Sequence, residues 1–252
     1  MIFVLLPAFN EAENILPLLQ NLEREAQEHS TQGIEAVVVN DGSTDATADL
    51  VRSFQGSIAV TLLDHPTNRG LGPTLFTGIR TILEKARDED VVVTLDADGT
   101  HHPRYIFDIA ERFKGDYDVV VASRYTEGGK EIGVSRLRRM LSHGARCCYR
   151  GFYPQWGLKD FSCGYRGIRI GPLRETVKAW GDRLFEAPGF ACTGELMLKL
   201  LRHTQPGRVT EIPFELHYEQ KGGKSKMPPI QTIFGTLRLL WQSRSWNKIG
   251  PR

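Results

Sequence analysis

Five short runs of aliphatic and β-branched residues organise the first half of this chain: 2–6 (IFVLL), 35–40 (EAVVVN), 58–63 (IAVTLL), 91–95 (VVVTL) and 118–122 (DVVVA). They are nearly continuous in apolar character, with little of the in–out alternation of a strand that has one wet face. Strands apolar on both sides must be covered on both sides. Helical patterns fill the gaps, near 12–27, 45–54, 71–87 and 103–114, and in the first of them Ile15, Leu18, Leu19 and Leu22 recur at helical spacing. Short strands alternating with helices imply an α/β fold with a mostly parallel sheet between helical layers. Ligands of such sheets collect beyond the carboxyl ends of the strands. That is where the polar signatures fall: PAFNE after the first run, NDGSTD after the second and DADGTHHP after the fourth.

The second half is less regular. An Arg-rich helix is expected over about 134–152, a Gly-containing extended stretch at 160–170, and helices near 172–180 and 194–204. A strand near 209–216 then leads into a Gly/Lys loop at 219–227 and a final amphipathic helix over about 229–245. No repeat or linker divides the chain, so residues 1–227 are expected to form one domain and 228–252 an amphipathic helix and tail. The opening MIFVLLPAFNEAEN has a short apolar run without a basic start, which fits a buried strand better than a secretory signal. No stretch reaches the roughly 18 apolar residues of a spanning helix. With Cys147, Cys148, Cys163 and Cys192 in no C-x-x-C spacing, reduced thiols in the cytoplasm are the expectation. A net charge of +2 over 252 residues is too small to argue for a nucleic-acid partner.

Asp96 and Asp98 sit two residues apart at the end of a strand, beside a glycine. Paired carboxylates suit a hard cation such as Mg²⁺ or Mn²⁺, which binds oxygen ligands and shares its sphere with substrate phosphates. A lone D-x-D is as often a solvated turn; its place at a buried strand end, beside two similar motifs, favours the metal. In NDGSTD, Gly42 permits a tight turn, and Ser43, Thr44 or Asp45 would cap the next helix. Asp41 is left over as a possible acceptor for base or ribose. In PAFNE, Phe9 offers a face for stacking and Glu11 an acceptor, although Asn10 could equally cap the helix that follows. His101 and His102 have no further partners at zinc-ligand spacing.

The segments LPAFNEAENI, VVNDGSTD, NRGLGPTLFTGI, LDADGTHHP, SRY and KDFSCGYR follow one another in the order seen in family 2 glycosyltransferases of the GT-A fold. The set most resembles the branch of dolichol-phosphate mannose synthases and polyprenyl-phosphate glycosyltransferases. The resemblance implies a nucleotide-sugar donor site of Pro7, Phe9, Glu11, Val39 and Asp41, with Asp96, Ala97 and Asp98 at metal and diphosphate. It makes Arg124, in the SRY segment, a further donor contact.

The branch also implies an acceptor site. An Arg and a Ser four residues apart in a helix grip the lipid phosphate, and Arg138 and Ser142 fit that pattern on one helical face. Arg139 and Arg146 add charge nearby. Leu137, Leu141, Ala145, Cys148 and Phe152 line an apolar stripe on the same helix, as Ile230, Ile233, Phe234, Leu237, Leu240 and Trp241 do on the last one. Basic amphipathic helices suit a membrane surface, with Trp241 and Trp246 as interfacial anchors, and equally suit docking on the protein's own core. DFSCGYR resembles the family's D-x-[ST]-x-G-[FY]-R, placing Asp160 near the chemistry, where it would orient the acceptor or Arg166, and Arg166 at the acceptor. Glu195 is a second acid for this region, at the start of a helix.

The GGKSK loop resembles the family's R-x-x-G-x-S-K and assigns Lys226 to the donor phosphates, although Gln220 stands where the family has its first Arg. Thr100 replaces a frequent Gln, leaving His101 or water to complete the metal sphere. The expected activity is an inverting hexosyl transfer, best matched by GDP-mannose and a polyprenyl or dolichyl phosphate. Asp98, Arg124, Asp160 and Lys226 would carry it, in a protein peripheral to the cytoplasmic membrane face, with room for a separate membrane-protein partner. A UDP-sugar with a sugar-hydroxyl acceptor, or a silent nucleotide-sugar binder, are the alternatives. A dinucleotide site fails because Leu75 occupies the third glycine of the G-x-G-x-x-G begun at Gly70. A sugar nucleotidyltransferase would carry a Gly-rich loop after the first strand, where PAFNE stands.

Overall fold

The computed structural model describes residues 1–31, 33–218 and 229–248. The five apolar runs become β1 (Ile2–Ala8), β2 (Ile34–Asn40), β3 (Ala59–Asp64), β4 (Val91–Thr94) and β5 (Val119–Ser123). Helices α1 (Ile15–Glu28), α2 (Thr47–Ser53), α3 (Leu71–Lys85) and α4 (Arg104–Arg112) alternate with them. Beyond lie β6 (Lys130–Ile132), α5 (Arg136–Phe152), β7 (Arg166–Arg169), α6 (Ile170–Trp180) and α7 (Ala191–Leu200). β8 (Val209–Pro213), β9 (Glu215–His217) and α8 (Pro229–Ser243) complete the set. The expected strand near 209–216 is thus two strands in different sheets.

The main sheet has the order β3-β2-β1-β4-β7-β5-β8, and β6 pairs with β9 in a separate two-stranded sheet. All main-sheet neighbours are parallel except β7, which runs antiparallel to both β4 and β5. The inverted strand matters for the site. Because β7 enters where its neighbours leave, Arg166 lies beside Thr94 and Val121 in the register. The segment 160–165 therefore reaches the same sheet edge as the loops that follow β1, β2, β4 and β5.

The core is two layers, as runs apolar on both faces require. Val4, Leu6, Val38 and Val93 pack with α1, α4 and Tyr149 of α5 on one side. Phe3, Leu5, Val37, Val39 and Val92 pack with α3, α6 and α7 on the other. Alternation of side-chain direction along each strand produces this division. Gly78 lets α3 approach β1, since a Cβ there would stand 2.2 Å from Leu5 Cδ1. α8 packs on α5 and α7, and its Leu239 and Leu240 join the first cluster.

The amphipathic stripes need correcting in detail. On α5 the deep anchor is Tyr149, 2% exposed and stacked on Phe161 at 5.3 Å, while Phe152 is 37% exposed. On α8, Leu240 is buried but Leu237 and Trp241 face outward, so the expected single stripe divides. Ile230, Ile233 and Phe234 are side chains outside the described set. Trp246 is no interfacial anchor: it is buried against Trp180 at 5.1 Å, with the Lys199 ammonium 5.1 Å from its ring. Among the described residues no helix is long and apolar enough to cross a membrane.

Candidate active site

The loop after β1 and the loop after β2 are stitched together by the small polar residues that the sequence offered as helix caps. Asn10 N–H donates to Ser43 Oγ (2.9 Å), Glu11 N–H to Thr47 Oγ1 (2.9 Å) and Ala12 N–H to an Asp45 carboxylate oxygen (3.1 Å). Asn10 returns the contact by accepting from Thr44 N–H at 2.8 Å. Asn10 therefore does not cap α1, which begins only at Ile15; its φ of 53° turns the loop instead. Asp45 does both jobs, since its other oxygen accepts from Thr47 N–H at the start of α2 (3.0 Å). Gly42 has φ +68° and an added Cβ would stand 2.4 Å from Thr67 C, so both turn and close approach demand glycine.

Asp41 is 4% exposed and its carboxylate is already engaged. It accepts from Arg69 N–H (2.9 Å) and Gly70 N–H (2.8 Å), and contacts His65 Nδ1 at 2.8 Å; His65 Nε2 in turn meets Thr77 Oγ1 at 2.9 Å. The sequence proposed Asp41 as a ligand acceptor; the structure adds that it fixes the entry to α3. His65 lies outside the motif segments, and Thr77 lies inside NRGLGPTLFTGI with no role assigned there. Nothing local along the chain marks either as a partner of the Asp41 cluster. Val39 is fully buried and packs toward Gly78, so only its main chain can meet a ligand. The Ala97 side chain is likewise in the core. Pro7, Phe9 and Glu11 are half-buried at the edge, and Glu11 accepts from Asn14 Nδ2 at 2.9 Å.

The DAD turn is held from behind. Asp96 N–H donates to His101 Nδ1 at 2.9 Å, and the His101 ring stacks on Tyr165 and meets Phe214 edge-on. That nitrogen's lone pair is spent on the backbone, so His101 stiffens the turn through it rather than offering it to a cation. Thr100 donates its hydroxyl (2.6 Å) and amide (3.2 Å) to one Asp98 oxygen, which makes it a clamp on Asp98. Asp98 is 8% exposed, whereas Asp96 is half-buried and faces a narrow crevice with Pro7, Leu71, Gly164 and Thr193. Two oxygen-bearing acids on one rigid turn fit a Mg²⁺ or Mn²⁺ that takes its remaining ligands from phosphate and water. Among the described residues no third His, Cys, Asp or Glu joins them to form a complete cage.

Across the edge, Arg124 follows β5 and makes a two-pronged pair with Asp160: Nε to Oδ2 at 2.8 Å and one Nη to Oδ1 at 3.0 Å. Its other Nη lies 3.3 Å from Glu131. Burial pushes the Asp160 carboxyl up, but the charge and hydrogen bonds of Arg124 outweigh it and hold Asp160 below the ordinary carboxylate range. Such a carboxylate is a poor proton acceptor and a good anchor. Asp160 therefore orients Arg124, not Arg166. Glu211 of β8 accepts from the amides of Lys159 (3.0 Å) and Asp160 (2.8 Å) and fixes the backbone that presents it.

Arg166 is 1% exposed, and its guanidinium donates to the carbonyls of Cys163, Thr193 and Phe161. It cross-links the 161–163 loop to α7 rather than turning to an acceptor. Glu195 is also structural: it accepts from the amides of Glu186 (2.8 Å) and Ala187 (2.7 Å) and pairs with the buried Lys199 at 2.7 Å. Ser142 is half-buried on α5. Arg138 lies one turn earlier on that helix, its side chain outside the described set; Lys226 and Gln220 lie outside the described residues.

Residues 3–177 match the family described as Glycosyl transferase family 2. The chain belongs to that family. It is 29% identical over 246 residues to a dolichol-phosphate mannosyltransferase of Pyrococcus furiosus, covering 96% of this chain and 63% of that protein. It therefore spans somewhat less than two thirds of that relative. It is 30% identical over 227 residues to an undecaprenyl-phosphate mannosyltransferase of Micrococcus luteus, covering 90% of this chain and 87% of the other. Among solved structures, glucosyl-3-phosphoglycerate synthase of Mycobacterium tuberculosis, in complex with Mn²⁺, uridine diphosphate and glucosyl-3-phosphoglycerate, superposes with a TM-score of 0.66 at 17% identity. That match covers 96% of this chain and 79% of the other and establishes the shared GT-A type fold.

Proposed function

We propose that this protein transfers a hexose from a nucleotide-diphosphate donor to a polyprenyl phosphate with inversion, and that the hexose is mannose from GDP-mannose. The relatives named above support the sugar and the lipid. The observation that carries the reading is the convergence of the Asp96–Asp98 turn and the Arg124–Asp160 pair on one sheet edge. A site with fixed acids on one side and a fixed cation on the other suits a polarised diphosphate leaving group.

The donor would lie in the crevice between β1 and β4, where the strand order reverses. Phe9 and Glu11 would meet base and ribose, with Pro7 and the main chain of Val39 beneath them, and Asp41 would hold the surrounding loop. Asp96 and Asp98 would hold Mg²⁺ or Mn²⁺, which when bound neutralises charge on the diphosphate. An oxygen of the acceptor phosphate attacks the anomeric carbon from the face opposite the diphosphate. The new C–O bond forms as the bond to the diphosphate oxygen breaks, and the nucleoside diphosphate leaves. A phosphate monoester is ionised at neutral pH, so no side chain has to remove a proton. Asp160 accordingly serves as the positioning partner of Arg124, while Arg124 and Lys226 stabilise the leaving charge. Arg138 and Ser142 hold the acceptor.

A lipid acceptor brings the protein to a membrane surface, for which we favour the cytoplasmic face. Met140 and Phe152 of α5 and Leu237 and Trp241 of α8 are exposed, by 63%, 37%, 45% and 73%, and Arg244 lies 4.5 Å over the Phe152 ring. Apolar side chains beside cations support these helices as the contact surface. A membrane-protein partner would bind there as well.

The test is transfer from a panel of labelled nucleotide-sugars to polyprenyl phosphate in detergent, with Mg²⁺ or Mn²⁺. Lipid-linked mannose is the expected product. Product on a sugar hydroxyl alone would remove the lipid-phosphate reading, and donor binding without turnover on any acceptor would make the protein a binder.

A further inference from the structure

The segment joining α6 to α7 has only one short turn of its own, Gly181–Leu184, yet it borders the site. A Cβ added to Gly72 would stand 3.0 Å from Phe185 Cβ, so the segment packs on the start of α3. Leu71 and Leu75 of that helix line the crevice beside Asp96. At the far end of the segment α7 begins, and its Thr193 and Leu196 line the same crevice.

Two side chains of α7, neither more than 1% exposed, hold this segment by its main chain. The Lys199 ammonium has three N–H groups to place. It donates to the carbonyls of Arg183 and Leu184, the latter at 3.3 Å, and to Glu195 at 2.7 Å. The second Glu195 oxygen accepts from the amides of Glu186 and Ala187, so the pair grips residues 183, 184, 186 and 187. Burial holds the Lys199 ammonium below its ordinary range even with Glu195 beside it. Aromatic faces close the remaining side. Trp180 lies 4.5 Å and Trp246 5.1 Å from the ammonium, and the two indoles meet edge-on at 5.1 Å. Trp246 comes from the short turn Ser245–Lys248 after α8. Beyond Ser243 it is the one buried side chain among the described residues, so a single ring seats the turn.

We propose that Lys199 is a positioning residue for the donor crevice and that Trp246 is the latch that keeps it in place. With the ring seated, the main chain of 183–187 and the first turn of α7 are fixed. Fixed with them is Thr193, whose carbonyl also accepts from Arg166 at 2.9 Å. With the ring withdrawn, water reaches the ammonium, its hold on the two carbonyls weakens and the wall beside Asp96 loosens. The assignment to the donor rests on the function proposed above; the latch itself does not.

The experiment uses the full chain and three variants. Trp246→Leu fills the space without a π face, and Trp246→Phe keeps one. The double variant Lys199→Met with Glu195→Gln replaces the ion pair by neutral side chains of similar size. Lys178→Gln, an exposed charge change on α6, is the control. Urea midpoints report folding, and amide exchange read by mass spectrometry reports residues 183–193 against β2 as internal reference. Calorimetry with GDP-mannose and Mn²⁺ gives the donor Kd, and initial rates give the acceptor KM. Trp246→Leu and the double variant should speed exchange over 183–193 by roughly tenfold, the scale of one desolvated cation–π contact, and leave β2 unchanged. The donor Kd should rise by a similar factor while the acceptor KM stays where it is. Trp246→Phe should recover most of both losses, and Lys178→Gln should match the parent.

Unchanged exchange over 183–193 in folded Trp246→Leu overturns the latch, and faster exchange with an unchanged donor Kd overturns the positioning role; the proposed function stands in both cases. If Trp246→Leu and the double variant do not fold, the parent decides. By linkage, donor with Mn²⁺ should slow exchange over 183–193 and around Trp246 together, and no slowing overturns the inference. If the parent binds no nucleotide-sugar, the proposed function falls and the donor assignment with it. Exchange in the variants then decides the latch alone: faster exchange over 183–193 supports it and unchanged exchange overturns it.

Discussion

At Asp98 a single side chain links fold to chemistry, because the Thr100 clamp leaves its carboxylate one orientation at the end of β4. Replacing Asp98 with Ala should abolish the gain in donor affinity that Mn²⁺ confers, measured by calorimetry with and without the ion. Turnover should fall by roughly 100-fold or more, the scale of losing one electrostatic stabiliser. A variant that keeps metal-dependent donor binding would remove Asp98 from the metal site. His65 acts one step back. Its contact with Asp41 is buried, and removing one partner of a buried polar group costs about 1–3 kcal/mol. His65→Ala should therefore lower stability to urea by that order and raise the donor KM with little change in kcat. His65→Asn, which can still donate toward Asp41, should recover much of both. Equal effects of the two variants would show that the ring's packing, not its hydrogen bond, matters.

Elements differ in how openly the sequence declares them. β1 to β5 and α1 to α4 were legible because each carries a long apolar period, and their observed bounds differ from the expected ones by no more than a few residues. β7 was only an extended stretch, since nothing local in YRGIRI says that it will enter the sheet antiparallel. The glycine in it is explained only by α4: a Cβ at Gly167 would stand 2.3 Å from Ile109. α8 shows the same limit. Its two exposed and two buried large residues look alike in sequence, and docking on α5 and α7 decides which is which. Trp246→Ala should therefore destabilise the protein by about 3–5 kcal/mol, as large-to-small core changes do. Trp241→Ala should leave the urea midpoint nearly unchanged and instead weaken binding to anionic lipid vesicles. The reverse pattern would mean that the outward face of α8 is wrongly assigned.

Over the whole molecule, the sheet edge gathers segments as distant as residues 9 and 160, and their coupling appears in the response to acid. Asp160 is held below the ordinary carboxylate range, so its ion pair contributes stability above the unfolded-state pKa of about 4. That contribution is lost as pH falls through the depressed folded-state value. Urea stability of the parent should thus decline on going from about pH 5 toward pH 3. Asp160→Asn should flatten that part of the curve. It should also lower stability at pH 7 by about 1–3 kcal/mol, because a buried charged pair is lost and Arg124 keeps only Glu131 as its carboxylate partner among the described residues. An unchanged slope in the variant would show that acid unfolding is governed elsewhere, Asp118 with its Arg208 and Thr204 partners being the next group held low.

The sequence by itself determined the layered α/β fold, the strand ends at which chemistry collects, and the family. Each rests on periodicity or on contiguous motifs, which are local properties. Tertiary structure decided what individual side chains are free to do. Val39 and Ala97 went into the core, Arg166 to main-chain carbonyls, Asp160 to Arg124 and Trp246 to Lys199 and Trp180. A polar residue's role depends on which partners the fold brings within hydrogen-bonding distance. Those partners lie tens of residues away along the chain, where no local pattern records them.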